Sequence, residues 1–205
     1  MLSKQDGAEF KSILRDECSY MLRPEEPQAL LFSGGTDSLT VLWTLLELGA
    51  RPTCYTFRLE SVESSDAKAS ALAAQAWGVD RVEVAVPDAP LPELAAEVGN
   101  IARLIGSARK THVEVMWPLH HVLAAVAPDE RQVWTGIQAD TLYGSSRSMA
   151  IRYGKDPRAF REAREKLVAD PGQEGLAQLR ALAATFGKGI CAPYATAAVR
   201  RFMAR

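Results

Sequence analysis

The chain has 205 residues, 47% of them hydrophobic and 24% charged, with a formal net charge of −1, a globular composition long enough to bury a substantial core. Near-neutrality offers no electrostatic grip on nucleic acid or an anionic membrane, so neither is an expected partner. Cys18, Cys54 and Cys191 lie far apart with no CxxC pair, which argues against a disulfide framework or a structural zinc site.

The N-terminal MLSKQDGAEFKSILRDECSYML carries charges at helical spacing, unlike a leader peptide. No segment approaches the roughly 18 apolar residues of a spanning helix. A single cytoplasmic domain over residues 1–205 is the expectation. From Phe10 to Leu22 the apolar positions share one helical face, and Pro24 and Pro27 end that helix. Ala29 to Phe32 is a short apolar run of the buried-strand type. SGGTDS follows, then a helix from about Ser38 to Leu48 closed by Gly49. Thr53 to Leu59 reads as a second strand, Asp66 to Trp77 as an alanine-rich helix stopped by Gly78, and Arg81 to Val86 as a third strand. Leu91 to Ile105 is a further helix. HVEVMW (residues 112–117) looks strand-like, and Pro118 to Ala127 helical. Gln132 to Thr135 is a strand entering Gly136, after which helices are expected near 157–168, 174–186 and 194–203.

Strands and helices alternating at this spacing predict an α/β fold. Its parallel sheet of about five strands is covered by helices on both faces and followed by a helical C-terminal part. Ligands in such sheets sit at the carboxyl ends of strands. SGGTDS and the Gly136 segment both fall there.

Ser33, Gly34, Gly35, Thr36, Asp37 and Ser38 lie between a buried strand and a helix N-terminus. Two successive glycines let the backbone approach a ligand closely. The free amides of the loop and first helical turn then form an anion site, reinforced by the helix dipole. Three hydroxyls add donors. Asp37 would be repelled by bound phosphates unless a divalent cation lies between them, which makes it a candidate Mg²⁺ ligand. The plainer reading is a strand-to-helix turn with Asp37 as a helix cap.

LLFSGGTDS resembles the PP-loop signature of the ATP pyrophosphatases, and no GK[ST] follows, so it is not a Walker loop. The resemblance implies that ATP is bound through its pyrophosphate portion. It extends to the synthetase domain of asparagine and β-lactam synthetases. By that match the backbone near Phe57 and Leu59 would meet the adenine. VWTGIQADTLYG is similar to the family's second motif and implies Thr135 and Gly136 beside the nucleotide, with Asp140 joining Asp37 on Mg²⁺. FREAREKL nominates Lys166 as a phosphate-facing catalytic lysine, although it is also an ordinary charged helix face. GKGICAPYATAAVRRFM is similar to a late family stretch. Ile137 and Gln138 stand where the family has a catalytic glutamate, and Thr141 replaces a second one. The family's terminal lysine and its glutaminase domain have no counterpart in these 205 residues.

Other candidates are less specific. His112, His120 and His121 could be ligands or bases, but adjacent histidines on a helix point to different faces and have no carboxylate at matching spacing. Arg109, Lys110, Arg147 and Arg152 could reach phosphates or an acidic substrate. Arg200, Arg201 and Arg205 read as a solvated face.

The resemblance implies an AMP-forming ligase or amidotransferase-like enzyme that adenylates a carboxylate or amide oxygen. Its partners would be a small-molecule acid, an amine, and a separate ammonia-donating or partner protein. A PP-loop sulfur-transfer or nucleobase-modifying enzyme, or an ATP-binding regulatory subunit without catalysis, are the alternatives.

Overall fold

The computed structural model describes residues 4–140, 151–153, 155–169 and 175–203. Its sheet has the strand order β3-β2-β1-β4-β5 and is parallel throughout. The strands are β1 (Gln28–Leu31), β2 (Thr53–Leu59), β3 (Arg81–Val86), β4 (Gln132–Trp134) and β5 (Gly189–Cys191). Helices α1 (Lys4–Met21), α2 (Thr36–Glu47), α3 (Ser65–Trp77), α4 (Leu91–Leu104) and α5 (Lys110–Ala125) occupy the N-terminal two-thirds. Then come α6 (Pro157–Ala169), α7 (Leu176–Thr185), a 3₁₀ turn at Pro193–Ala195 and α8 (Ala197–Met203). This is the expected α/β architecture. Among the described residues no helix is long and apolar enough to cross a membrane.

Side-chain alternation along the strands divides the core between two faces. Leu30, Cys54 and Trp134 point to one face, where Leu14 and Cys18 of α1, Val41, Leu42 and Leu45 of α2, and Val199 and Phe202 of α8 cover them. Ala29, Tyr55 and Val133 point to the other, beneath Ile101 of α4, Met116, Val122 and Leu123 of α5, and Leu179 and Leu182 of α7. The register keeps these sets in line, with Ala29 opposite Val133 and Leu30 opposite Trp134. Burying Trp134 leaves its indole N–H needing a partner, and Gln28 Oε1 accepts it at 2.8 Å.

Two expectations need correction. HVEVMW is not a strand but lies inside α5, which starts at Lys110 and runs through Pro118. His112, Met116, Val122 and Leu123 are buried while Val115 is half-exposed, a helical rather than an alternating pattern. The fifth strand is Gly189–Cys191, a stretch read only as a family motif. It pairs with β4 through Val133 and Ile190.

The strand order makes the crossovers diverge between β1 and β4. A crevice forms outside the carboxyl ends of two neighbouring strands whose connections leave in opposite directions. Both motif loops open into it.

Candidate active site

The first loop leaves β1 under tight control. Phe32 N–H donates to Tyr55 O at 2.8 Å, and the Thr56 hydroxyl donates to Phe32 O. Gly34 then adopts φ +76°, and a Cβ there would stand 2.5 Å from the Ser70 amide nitrogen of α3. Only glycine tolerates both the left-handed backbone and that contact. Gly35 is the N-cap residue of α2, and no side chain caps the helix. Asp37 is therefore not the cap. Its carboxylate sits in the first turn, and the amides there remain available to an anion. Ser33 Oγ accepts from Gly35 N at 3.2 Å, and Ser38 Oγ donates to Gly35 O at 3.1 Å, so two of the hydroxyls hold the loop's shape.

The second loop follows β4. Thr135 N–H donates to Cys191 O at 3.0 Å, tying it to β5, and Ile137 N–H donates to Thr135 Oγ1 at 3.2 Å. A Cβ on Gly136 would lie 2.9 Å from the Asp37 carbonyl carbon and 3.0 Å from both Asp37 Cβ and Ser38 N. The two loops thus touch backbone to backbone. Gln138 is buried with φ 77°, a strained conformation for a non-glycine residue and one that clusters at functional sites. Asp140 follows in a helical turn, its residue exposed. Tyr194, fully buried, donates its hydroxyl to Asp37 O at 3.5 Å.

Between the loops lies a cavity of about 470 Å³, within the range of small-molecule sites. Phe32, Tyr55, Phe57, Leu119, Val122 and Ile137 contribute apolar lining, and Ser33, Asp37, Ser38, Asp66, Thr135 and Asp140 polar lining. Burial, and then the charge of Asp140, pushes the Asp37 carboxyl up to about 6. Two carboxylates facing one cavity repel each other unless a proton or a cation intervenes.

The family model for asparagine synthase matches residues 9–191, from α1 to the end of β5 and across both loops. The chain belongs to the asparagine synthase family. That family is one of ATP-using, synthetase-type enzymes of the ATP pyrophosphatase class. No curated protein matches it. Among solved structures it is similar to the NMN synthetase from Francisella tularensis, at 13% identity, 99% coverage of this chain, 92% of that one and a TM-score of 0.40.

Of the site residues nominated from the sequence, Ser33, Asp37, Ser38, Phe57, Thr135, Gly136 and Asp140 line the cavity. Gly34, Gly35 and Thr36 shape the same loop without lining it, and neither does Leu59, at the end of β2. Lys166 is exposed on α6 and is not a lining residue. Arg109 and Lys110 are also exposed outside the cavity, Lys110 pairing with Glu114 at 3.5 Å. His112 is buried, with Nδ1 2.8 Å from Ser107 Oγ, as a core histidine. Arg152 lies over the Tyr153 ring at 5.8 Å. Arg201 donates to Ala197 O at 3.2 Å. Arg147 and Arg205, like Thr141, fall outside the described residues.

Sequence reasoning passed over Asp66, Tyr55, Thr56, Leu119 and Val122, all of which line the cavity. Asp66 had a readable signal, since it follows β2 at the same end of the sheet as Asp37. Leu119 and Val122 had none, because they reach the cavity only through the packing of α5.

The residues present fit a magnesium nucleotide. Asp37 and Asp140 offer the hard oxygen ligands that Mg²⁺ takes, sparing it an all-protein cage. Gly34 and Gly136 let the first loop pack directly against α3 and against the second loop, and the uncapped amides at the start of α2 remain available to a polyphosphate. The apolar lining suits a heterocyclic base.

Proposed function

We propose that the chain binds ATP with Mg²⁺ in this cavity and adenylates the carboxylate or amide oxygen of a small acid, forming AMP and pyrophosphate. The observation that carries this reading is the convergence of the Asp37 loop and the Asp140 loop on one cavity, which combines apolar lining with carboxylates at the uncapped start of α2. Mg²⁺, when bound, supplies charge neutralisation for the departing pyrophosphate. Asp37 and Asp140 would hold it, and the amides at the start of α2 would face the phosphate oxygens. Phe57 and the wall from α5 would position the adenine and exclude water. The substrate oxygen then bonds to the α-phosphorus as the α–β bridging bond breaks, and a nitrogen nucleophile, free ammonia or an amine, displaces AMP. A separate ammonia-donating protein would be the partner, and the cytoplasm the setting.

The sulfur-transfer alternative finds little support in the thiols. Cys18, Cys54 and Cys191 are free and buried, and burial pushes them up to about 12, 12 and 11. Inert thiols of this kind make poor sulfur carriers. The regulatory alternative rests on one specific observation. Ile137, in place of the family glutamate, puts a hydrocarbon side chain on the cavity wall.

The test incubates α-labelled ATP and Mg²⁺ with a pool of carboxylic acids and separates the nucleotides. Acid-dependent AMP is expected. ADP as product overturns the mechanism, and tight ATP binding without turnover transfers the assignment to the regulatory reading.

A further inference from the structure

Away from the nucleotide cavity, on the seam between α4 and α5, Glu97, His120 and His121 come together with their ligand atoms all within 4.8 Å of one another. Successive residues on a helix project about 100° apart, so two adjacent histidines ordinarily diverge. Here they converge because His120 presents its near nitrogen, Nδ1, and His121 its far one, Nε2. His121 Nε2 lies 2.8 Å and His120 Nδ1 3.9 Å from the same oxygen, Glu97 Oε1.

Both ring nitrogens are shut off from solvent, and neither makes a hydrogen bond. The 2.8 Å approach lacks hydrogen-bond angles. Buried polar atoms are nearly always paired, and an orphan calls for a missing water or ion. Two orphans aimed at one carboxylate oxygen call for a shared one.

The surroundings orient the group as supporting residues orient metal ligands. Trp117 Nε1 donates to the other carboxylate oxygen, Glu97 Oε2, at 2.9 Å, leaving Oε1 to face the histidines. The His120 ring packs edge-on against Phe186, which follows α7, with centroids 5.3 Å apart, and the His121 ring against Trp117 at 6.1 Å. Neither ring has to be recruited from solvent.

We propose that Glu97, His120 and His121 form a binding site for a divalent transition metal of the Zn²⁺ type, with a fourth position open to water or an exogenous ligand. Two imidazoles and one carboxylate are the donor set of an open tetrahedral zinc site. With metal–ligand bonds of about 2.0–2.1 Å, donor atoms in such a site stand on the order of 3.3 Å apart. Measured from Glu97 Oε1, the His121 nitrogen needs to move out and the His120 nitrogen in by about half an ångström each, and the two nitrogens, now within 4.8 Å of each other, to settle at the same spacing. The site also has a consequence for the cavity. Leu119 and Val122, either side of the two histidines on α5, line the nucleotide cavity, so a metal tying α5 to α4 braces that wall.

The experiment titrates purified full-length protein, stripped with chelator, with Zn²⁺ against a chromogenic chelator. Co²⁺ serves as a spectroscopic substitute. One Zn²⁺ per chain with a dissociation constant below micromolar, an intense tetrahedral Co²⁺ visible band, and a higher melting temperature with Zn²⁺ are expected. Glu97→Gln, which keeps the Trp117 contact, and His121→Asn should each weaken Zn²⁺ binding at least tenfold. Trp117→Phe, which removes a supporting partner and no ligand, should weaken it by a smaller factor than either. Asp37→Asn should leave it unchanged, which separates this site from the proposed nucleotide site. Circular dichroism on each variant excludes unfolding. Absence of stoichiometric binding, or equal binding by wild type and Glu97→Gln, overturns the site.

Discussion

The backbone of Gly136 rests against that of Asp37, so closely that a Cβ on the glycine would stand 2.9 Å from the Asp37 carbonyl carbon. Through this contact the loop after β4 sets the position of the loop after β1. Gly136→Ala should therefore force the loops apart, at a cost of about 1–3 kcal/mol for an overpacked contact, and weaken Mg²⁺-dependent ATP binding more than tenfold. Gly187→Ala makes the comparison. That glycine has φ +68° but open space around its Cβ, so alanine should cost about 1–2 kcal/mol of backbone strain and leave ATP affinity within twofold. Chemical denaturation and calorimetry of the two variants check this, and equal loss of affinity in both refutes it.

Asp37→Asn should separate stability from function. The unfolded carboxyl titrates near 3.8 and the folded one near 6, so the folded state binds more protons between those values. Stability therefore falls as pH rises through that window, and the penalty is complete above pH 6. Asparagine removes it. Without metal, the variant should gain melting temperature relative to wild type from pH 4 to 6 and hold the gain above, while Mg²⁺-dependent ATP binding weakens more than tenfold. A pH-independent difference in melting temperature would contradict the buried-carboxylate account.

The same carboxyl should report on its neighbour. Burial is the larger cause of its shift and Asp140 the second, so Asp140→Asn should bring the Asp37 titration down only part of the way toward 3.8. Carbon-detected NMR of the side-chain carboxyl in metal-free protein measures it. An unmoved titration would mean that the two side chains do not share the cavity electrostatically.

Ile137→Glu returns a carboxyl to the position where the family has one. Ile137 is partly buried against the core beneath α4, α5 and α7, so the introduced group should be held protonated to higher pH than a free one, as suits a proton donor. Under the synthetase reading, acid-dependent AMP formation should rise, by up to the 10²-fold or more that an acid–base group contributes. A coupled pyrophosphate assay follows it. A rate that stays at background while ATP binding persists favours the regulatory reading.

Lys166→Ala should leave ATP affinity within twofold, since Lys166 is exposed on α6 outside the cavity lining. Calorimetry decides, and a tenfold loss would restore the phosphate-facing role that its sequence neighbourhood suggests.

SGGTDS was readable because its chemistry is local. A buried strand, two glycines and a helix start are contiguous, and the open amides of α2 follow from neighbours along the chain, whereas the contact of Gly34 with Ser70 of α3 does not. Local pattern also sufficed for β2 and β3, whose bounds are those expected from the sequence, and for the α/β class, which follows from the order of elements. Gly189–Cys191 was not readable as a strand. Three residues carry almost no propensity, and their extended form comes from pairing with β4. HVEVMW has β-branched content that suits a strand, yet the core beneath α4 and α7 takes up His112 and Met116 at helical spacing, and burial outweighs propensity. The approach of Asp37 to Asp140 was partly readable, because both follow strands at the carboxyl end of one sheet, while the fold decided that those two strands are neighbours. The meeting of Glu97 with His120 and His121 belongs to the tertiary structure alone, because it depends on how α5 lies against α4 and not on spacing along the chain.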